Sequence, residues 1–376
     1  MSSRPKWRDL ASLTRRAMAW GFLDYARNDN KMKIDLFDYK LPQGLIAQKQ
    51  IKPRDHSRLM VLDMAAKKVA HKHFYDLVDY LNDNDVLVVN ETKVFPARLL
   101  GKKSSGGKVE VLLAEKVSDK NWQAMIGGRN LKIGDVVYFA KELEAKITKD
   151  INGKTKEVSF NKSGKVLDKI IDAIGHTPIP PYIKTKDSQK IKTDYQTVYA
   201  KERGSAAAPT AGLHFTRQVL NKLDKKGIKI FRVTLHVSLG TFTPVEVEDI
   251  KKHQIHHEWA SIDKRTADNL NKLKSQGKNI IAVGTTSART LEAFAEKNGK
   301  LKSGSKWVDI YIYPGYSWRF VDEMITNFHL PKSSLLFMIS SLAGREFILK
   351  AYKKAIVLKY RFFSFGDSMF ITKNRF

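Results

Sequence analysis

The spacing of apolar and polar positions changes along the chain, and those changes divide it. Leu59 to Leu62 and the run DVLVVN at 85–90 are near-continuous apolar stretches, the pattern of strands covered on both faces. Between residues 99 and 160 the period shortens to two in KVEVLLAEK, NWQAMIG, GDVVYFA, LEAKIT and KEVSF, separated by Gly, Asn, Asp and Lys turns. The long helices of βαβ units are missing there, so this stretch predicts a small β-barrel, whose closure protects its strand edges. Beyond residue 200 strands alternate with helical spacing. IKIFRVTL and NIIAV read as strands. One helix is N-capped by Thr216 and ends at Gly227, a second runs from Thr266 to Gln276, and a third opens at Gly284. The last, Arg345 to Lys359, carries the stripe Ile348, Tyr352, Ala355 and Ile356. The predicted fold class is therefore α/β: a mixed-sheet α/β domain with an inserted small β-barrel domain. Residues 32–97 and 161–376 make up the discontinuous α/β domain, 98–160 the barrel, and 1–31 an atypical, flexible N-terminal extension. Two shorter patterns also read as strands, one opening KIDLFDYKLPQGLIAQ and one in DIYIYPGY, while the prolines of HTPIPPYIK at 176–184 resist regular structure.

Composition narrows the chemistry. A chain of 376 residues with no cysteine has no disulfide framework, no thiolate nucleophile and no thiolate-held cluster or zinc. Its 67 Lys plus Arg against 39 Asp plus Glu give a net charge of +28, spread along the whole chain, which points to a polyanionic partner such as a nucleic acid. No apolar run approaches the ~20 residues of a membrane-spanning helix. Arg15 and Arg16 before AMAWGFL faintly suggest an export signal, but the apolar part is short and no cleavage site follows, so a cytoplasmic protein is expected.

Candidate chemistry gathers where strands are expected to end. In GSAAAPTAGLHFT, small residues would let backbone approach a ligand beside Thr210, and His214 would orient or protonate it; a purely structural histidine is the competing reading. IKIFRVTLHVSLG ends a strand near His236, followed by the small-residue loop Ser238 to Thr241. In GTTSARTLEAF, Thr285, Thr286 and Arg289 offer donors to a carboxylate or phosphate, with ordinary capping as the alternative. Asn327, His329 and Lys332 lie in the polar part of TNFHLPKSSLLF. Arg98 follows the polar strand end at Asn90. Arg54 and Arg58 in PRDHSRL, Lys353 and Lys354 on the last helix, and Arg361 beside Phe362, Phe363 and Phe365 are candidate RNA contacts, although the phenylalanines fit a core equally well. His253 and His257 are four apart in KKHQIHHEW, but no helix is established there, and no metal site is assigned.

Taken in order, FDYKLP, LIAQ, RDHSRLMVLD, VVNETKVFPARLLG, YQTVYA, GSAAAPTAGLHFT, VTLHVSLGTFTPV, AVGTTSARTLEAF, TNFHLPKSSLLFMIS and YRFFSFGD resemble the S-adenosylmethionine:tRNA ribosyltransferase-isomerase (QueA) family of queuosine biosynthesis. The likeness spans about residues 32–372. It implies an enzyme that transfers and isomerises the ribosyl moiety of S-adenosylmethionine onto 7-aminomethyl-7-deazaguanine at the tRNA wobble position, releasing adenine and methionine. S-adenosylmethionine would be a cosubstrate with no permanently bound cofactor, queuosine-pathway tRNA the macromolecular partner, and the enzyme a monomer. Under this resemblance His214 or His236 handles a proton, Arg98, Thr285, Thr286 and Arg289 position donor or RNA, and Thr210, Asn327, His329 and Lys332 lie nearby. Ala206 stands where the family commonly has Val, Ser238 where Gly is usual, and His257 where Ser is common. A tRNA-binding protein without activity and a conventional methyltransferase are the alternatives; the latter lacks its GxGxG-like loop.

Overall fold

The computed structural model describes residues 31–153, 155–185, 188–238 and 245–376. All but Lys31 of the expected extension, and the Ser238–Thr241 loop beyond Ser238, fall outside them. Strands run in chain order as β1 (Arg58–Asp63), β2 (Lys68–His73), β3 (Asp85–Asn90), β4 (Thr92–Val94), β5 (Arg98–Lys103), β6 (Lys108–Lys116), β7 (Asn121–Gly127), β8 (Val136–Tyr138), β9 (Glu144–Asp150), β10 (Thr155–Phe160), β11 (Glu202–Ser205), β12 (Lys229–Leu235), β13 (Glu258–Ile262), β14 (Asn279–Val283), β15 (Gly304–Val308), β16 (Glu323–Asn327) and β17 (Ser368–Thr372).

A nine-stranded mixed sheet has the order β15-β13-β12-β3-β14-β16-β17-β1-β2. Its centre, β12-β3-β14-β16, is parallel throughout. Strand β3 is buried at every position, as its unbroken apolar run requires. Alternate residues serve opposite faces: Val86 and Val88 pack with Ala267, Leu270 and Leu273 of the helix Lys264–Ser275. Leu87 and Val89 pack with Val219 and Leu223 of the helix Arg217–Lys225. That second helix starts where its sequence signal lies, with Thr216 Oγ1 accepting from the Val219 amide at 3.1 Å.

Strands β5 to β10 close a separate barrel in the order β10-β7-β6-β5-β8-β9. Val109, Val111 and Leu113 of β6 alternate inward, and Leu167 and Ile171, four apart on the helix Gly164–Ile174, join the same core. The mixed α/β sheet with a six-stranded barrel inserted between β4 and β11 is thus the architecture expected from the change of period.

Several local expectations are corrected. KIDLFDYKLPQGLIAQ forms the 3-10 turns Ile34–Phe37 and Gln43–Leu45 instead of opening with a strand, because Phe37 and Tyr39 are drawn into the main core while the intervening residues face solvent. DIYIYPGY is irregular; its tyrosines pack on the core edge, and the strand before it is β15. The helix after Pro331 begins only at Ser334, N-capped by the Ser333 hydroxyl. Among the described residues no helix is long and apolar enough to cross a membrane.

At the start of the parallel strands lies a buried charge cluster. Arg375 donates to both oxygens of Asp85, at 2.7 and 2.5 Å, and to Glu323 at 2.9 Å. Both carboxylates are almost fully buried. Removing the guanidinium leaves two buried negative charges uncompensated. Arg375→Met is therefore expected to destabilise the fold by about 3–5 kcal/mol in urea unfolding; a loss below ~1 kcal/mol would show that the cluster is solvated.

Candidate active site

A parallel strand buried on both faces leaves room for polar chemistry at its ends, and here the C-terminal ends converge. β14 passes at Val283 into Gly284, whose φ of +87° lets the chain turn directly into the helix Gly284–Phe294. Thr285 and Thr286 are thereby set at the helix mouth. β16 ends at Asn327, with His329 two residues on. The 3-10 turn Thr210–His214 crosses below. One cavity is lined by Thr210, Thr285, Thr286, Thr326, Asn327 and His329, with Tyr182, Phe328 and Phe363 as apolar wall. Five candidate residues from separate parts of the sequence, Thr210, Thr285, Thr286, Asn327 and His329, therefore share one wall. The Thr286 Oγ1 is buried with no hydrogen-bond partner.

The Asn327 amide fixes the state of His214. Its NH2 lies 3.1 Å from the Phe363 carbonyl and 3.4 Å from that of Asp367, and its Oδ1 accepts from Thr210 Oγ1 at 3.0 Å. The amide orientation is thus set by two acceptors and one donor, and Asn327 Nδ2 must donate to His214 Nε2, at 3.0 Å. His214 then carries its proton on Nδ1 and donates it to Ser57 Oγ at 2.7 Å. The ring stacks on Phe74 and is buried. Burial first, then the nearby Arg361 and Arg54, holds its pKa down to about 3. His214 is a neutral strut behind Asn327, and it does not line the cavity.

His329 does line it. Its Nε2 is 2.8 Å from Thr326 Oγ1, its backbone amide donates to Tyr352 Oη at 2.9 Å, and its carbonyl accepts from Tyr39. Nδ1 has no hydrogen bond among the described residues. Burial brings its pKa down to about 3, so it too is neutral at pH 7.

His236 stands apart at the end of β12. Nδ1 is 2.8 Å from Thr92 Oγ1, and the ring stacks on Trp259 at 5.0 Å. Gly204 makes room for it: a Cβ there would lie 2.5 Å from Nε2. Desolvation depresses its pKa to about 4.

Arg289 points away from the cavity into a neighbouring cleft, where it forms a buried ion pair with Glu258. Glu258 Oε1 in turn accepts from the Ser238 amide at 2.9 Å. Lys332 is turned outward to Asp35 at 2.7 Å and Asp38 at 3.1 Å. Arg98 lies in the barrel wall, paired with Glu110 at 2.7 Å. Of the candidate RNA contacts, Arg54 donates to the carbonyls of Gln196 and Thr193, and Arg58 to Asp367 and to the carbonyls of Leu358 and Lys359. Arg361 binds the carbonyls of Lys49 and Phe365. Only Lys353 and Lys354 of that set are exposed. Phe362, Phe363 and Phe365 are buried, in line with the core reading of them, and Phe363 also forms part of the cavity wall. His253 and His257 lie on irregular chain leading into β13, not on a helix.

The departures from the family pattern have separate settings. Ala206 packs into the barrel core, Ser238 keeps a φ outside the left-handed region, and His257 is exposed. Ser57, Thr326 and Tyr182 take part in the site or its support without having been singled out in the sequence, and Glu258, noted only beside the histidines of KKHQIHHEW, does so through Arg289. For Glu258 a signal existed: an acidic residue opening a strand needs a cation, and Arg289 had been read as available to a carboxylate.

The two neutral histidines have a measurable consequence. In the unfolded chain each takes up a proton as pH falls through about 6.5, whereas in the folded chain uptake waits until about 3. Their burial is without cost above pH 6.5, and stability falls as pH drops from there toward 3. Each histidine contributes roughly 1.4 kcal/mol per pH unit within that window. Urea unfolding between pH 7.5 and 4.5 should show this slope, and His214→Asn should reduce it; an unchanged slope would mean that His214 titrates normally.

The sequence model of the family described as "Queuosine biosynthesis protein" matches residues 34–371. The S-adenosylmethionine:tRNA ribosyltransferase-isomerases of two Clostridium kluyveri strains are each 49% identical to the chain over 343 residues, covering 90% of it and 100% of their own length. The crystal structure of an S-adenosylmethionine tRNA ribosyltransferase from Thermotoga maritima superposes with a TM-score of 0.52 at 33% identity, over 89% of this chain and 99% of that one. On the extent of these matches, the chain belongs to the queuosine biosynthesis family of S-adenosylmethionine:tRNA ribosyltransferase-isomerases.

Proposed function

We propose that this enzyme moves the ribosyl group of S-adenosylmethionine onto the aminomethyl group of 7-aminomethyl-7-deazaguanine at the tRNA wobble position and isomerises it to epoxyqueuosine, releasing adenine and methionine. The observation that carries the reading is the cavity at the C-terminal sheet edge, where hydroxyl and amide side chains, among them Thr210, Thr285, Thr286, Thr326 and Asn327, meet one neutral histidine, His329. That lining suits a polyhydroxylated sugar, and its neutrality suits a sulfonium donor that brings its own positive charge. S-adenosylmethionine acts as cosubstrate, with no resident cofactor needed. The protein would work as a cytoplasmic monomer.

The sulfonium acidifies the adjacent carbon and later leaves as the methionine thioether, so the chain's tasks are to remove a proton there, position the sugar and exclude water. Of His214 and His236, the first has both ring nitrogens committed and the second lies outside the cavity. His329, which lines the cavity and whose Nδ1 is unengaged, is the histidine placed to accept that proton. His214 then acts as a positioning residue, holding Asn327 and through it Thr210. Lys353 with Lys354 supply exposed cations for the backbone of the substrate RNA.

Incubation with S-adenosylmethionine and precursor-modified tRNA should give epoxyqueuosine, adenine and methionine by mass spectrometry. A simple methyl increment would indicate methyltransfer, and binding without product an inactive scaffold. His329→Gln should slow single-turnover adenine release by about 10²-fold or more; an unaltered rate removes it from the proton step. Joint replacement of Lys353 and Lys354 by Glu should flatten the dependence of log Kd for tRNA on log salt by roughly 1–2. An unchanged slope would place the RNA elsewhere.

A further inference from the structure

Beside the main cavity runs a second, narrower cleft walled by Glu258, Arg289, His256, Tyr311, Ser334 and Leu335. Leu335 lines both spaces, and Ser333 of the cavity is followed directly by Ser334 of the cleft. The Arg289 and Glu258 side chains retain 6% and 1% of their exposure. A buried ion pair gains little over a well-packed apolar pair, so folding alone does not account for it. Two polar atoms here are also left over. Arg289 Nε and Tyr311 Oη are both buried without a hydrogen-bond partner, and Arg289 Nη2 reaches the His256 carbonyl only at 3.5 Å. Orphaned buried donors are costly to keep, and both of these belong to residues that line this cleft.

Resting on the reaction proposed above, we infer that this cleft anchors the amino-acid end of the sulfonium donor. The α-carboxylate is the acceptor for Arg289 Nε and Tyr311 Oη, and the α-ammonium lies in the negative field of Glu258. The charge balance selects this ligand class. Arginine and glutamate are already neutral together, so a simple anion or cation would leave one charge unmatched, whereas a zwitterion adds one of each sign. The sharing of Leu335 puts the cleft next to the sugar cavity, so the sulfonium, between amino acid and ribose, sits at their junction. Anchoring the amino acid there also holds the departing methionine thioether in line while the sugar rearranges in the Thr-lined cavity.

The test compares two neutral thioethers that differ in the amino-acid end: S-adenosylhomocysteine carries it and 5′-methylthioadenosine lacks it. Full-length protein should bind S-adenosylhomocysteine at least tenfold more tightly by calorimetry. Tyr311→Phe, which keeps the ring, should shrink that ratio to threefold or less without altering affinity for 5′-methylthioadenosine. Arg289→Lys should do the same if its circular dichroism and unfolding match the parent; Tyr311→Phe alone decides if it does not fold. A parent ratio below three, no measurable binding of S-adenosylhomocysteine, or a ratio unmoved by Tyr311→Phe overturns the inference. If adenine is still released from S-adenosylmethionine in the presence of precursor tRNA, those outcomes count against the cleft alone; if it is not, the reaction itself fails.

Discussion

A strand covered on both faces accepts polar side chains at its ends and almost nowhere else, and this constraint shapes the whole α/β unit. β3 shows it in six residues: Asp85 opens it, four apolar residues cross the core, and Asn90 closes it. Asp85 is held by Arg375, while Asn90 both donates to the Leu235 carbonyl and accepts from the Leu235 and Thr92 amides. β16 repeats the arrangement with Glu323 at one end and Asn327 at the other. Charge therefore collects at the N-terminal edge, where it is neutralised for stability. Uncharged hydrogen-bonding groups collect at the C-terminal edge, where a ligand can meet them.

The same economy governs the basic residues. A net charge of +28 suggests cations in reserve all over the surface, yet Arg54, Arg58 and Arg361 spend their donors on carbonyls and on Asp367. Arginine's planar fork lets it tie together loops that have no regular ladder. Lys353 and Lys354, point-like charges on flexible stems, stay exposed.

The fold was legible because the period of apolar positions changes where the architecture changes: two in the barrel, continuous in β3, three to four in the helices. Where packing came from aromatic residues in irregular chain, as at Phe37, Tyr39, Tyr311 and Tyr313, alternation imitated strands that do not exist. The site was half legible. Thr210, Thr285, Thr286, Asn327 and His329 were each visible as polar residues at strand or helix ends, and topology brings them together. What separates His214 from His329 is not visible in a sequence. Both neighbour apolar residues, but the contacts that commit His214's two nitrogens come from Ser57 and Asn327, more than a hundred positions away in each direction. The outward turn of Lys332 likewise depends on Asp35 and Asp38, nearly three hundred residues earlier.

The pairing of β1 with β17 carries a consequence for how the chain is made. Arg58 and Asp367, which flank that parallel pair, are 309 residues apart, and β1 has no other partner than the exposed hairpin strand β2 until β17 exists. The barrel, by contrast, closes from strands that follow one another within a short stretch. During synthesis the barrel can therefore mature as soon as it emerges, whereas the large sheet must wait, with β1 and β3 unpaired along their apolar edges, for strands made much later. The insertion thus separates, along the chain, the first strands of the large sheet from the later strands that pair with them.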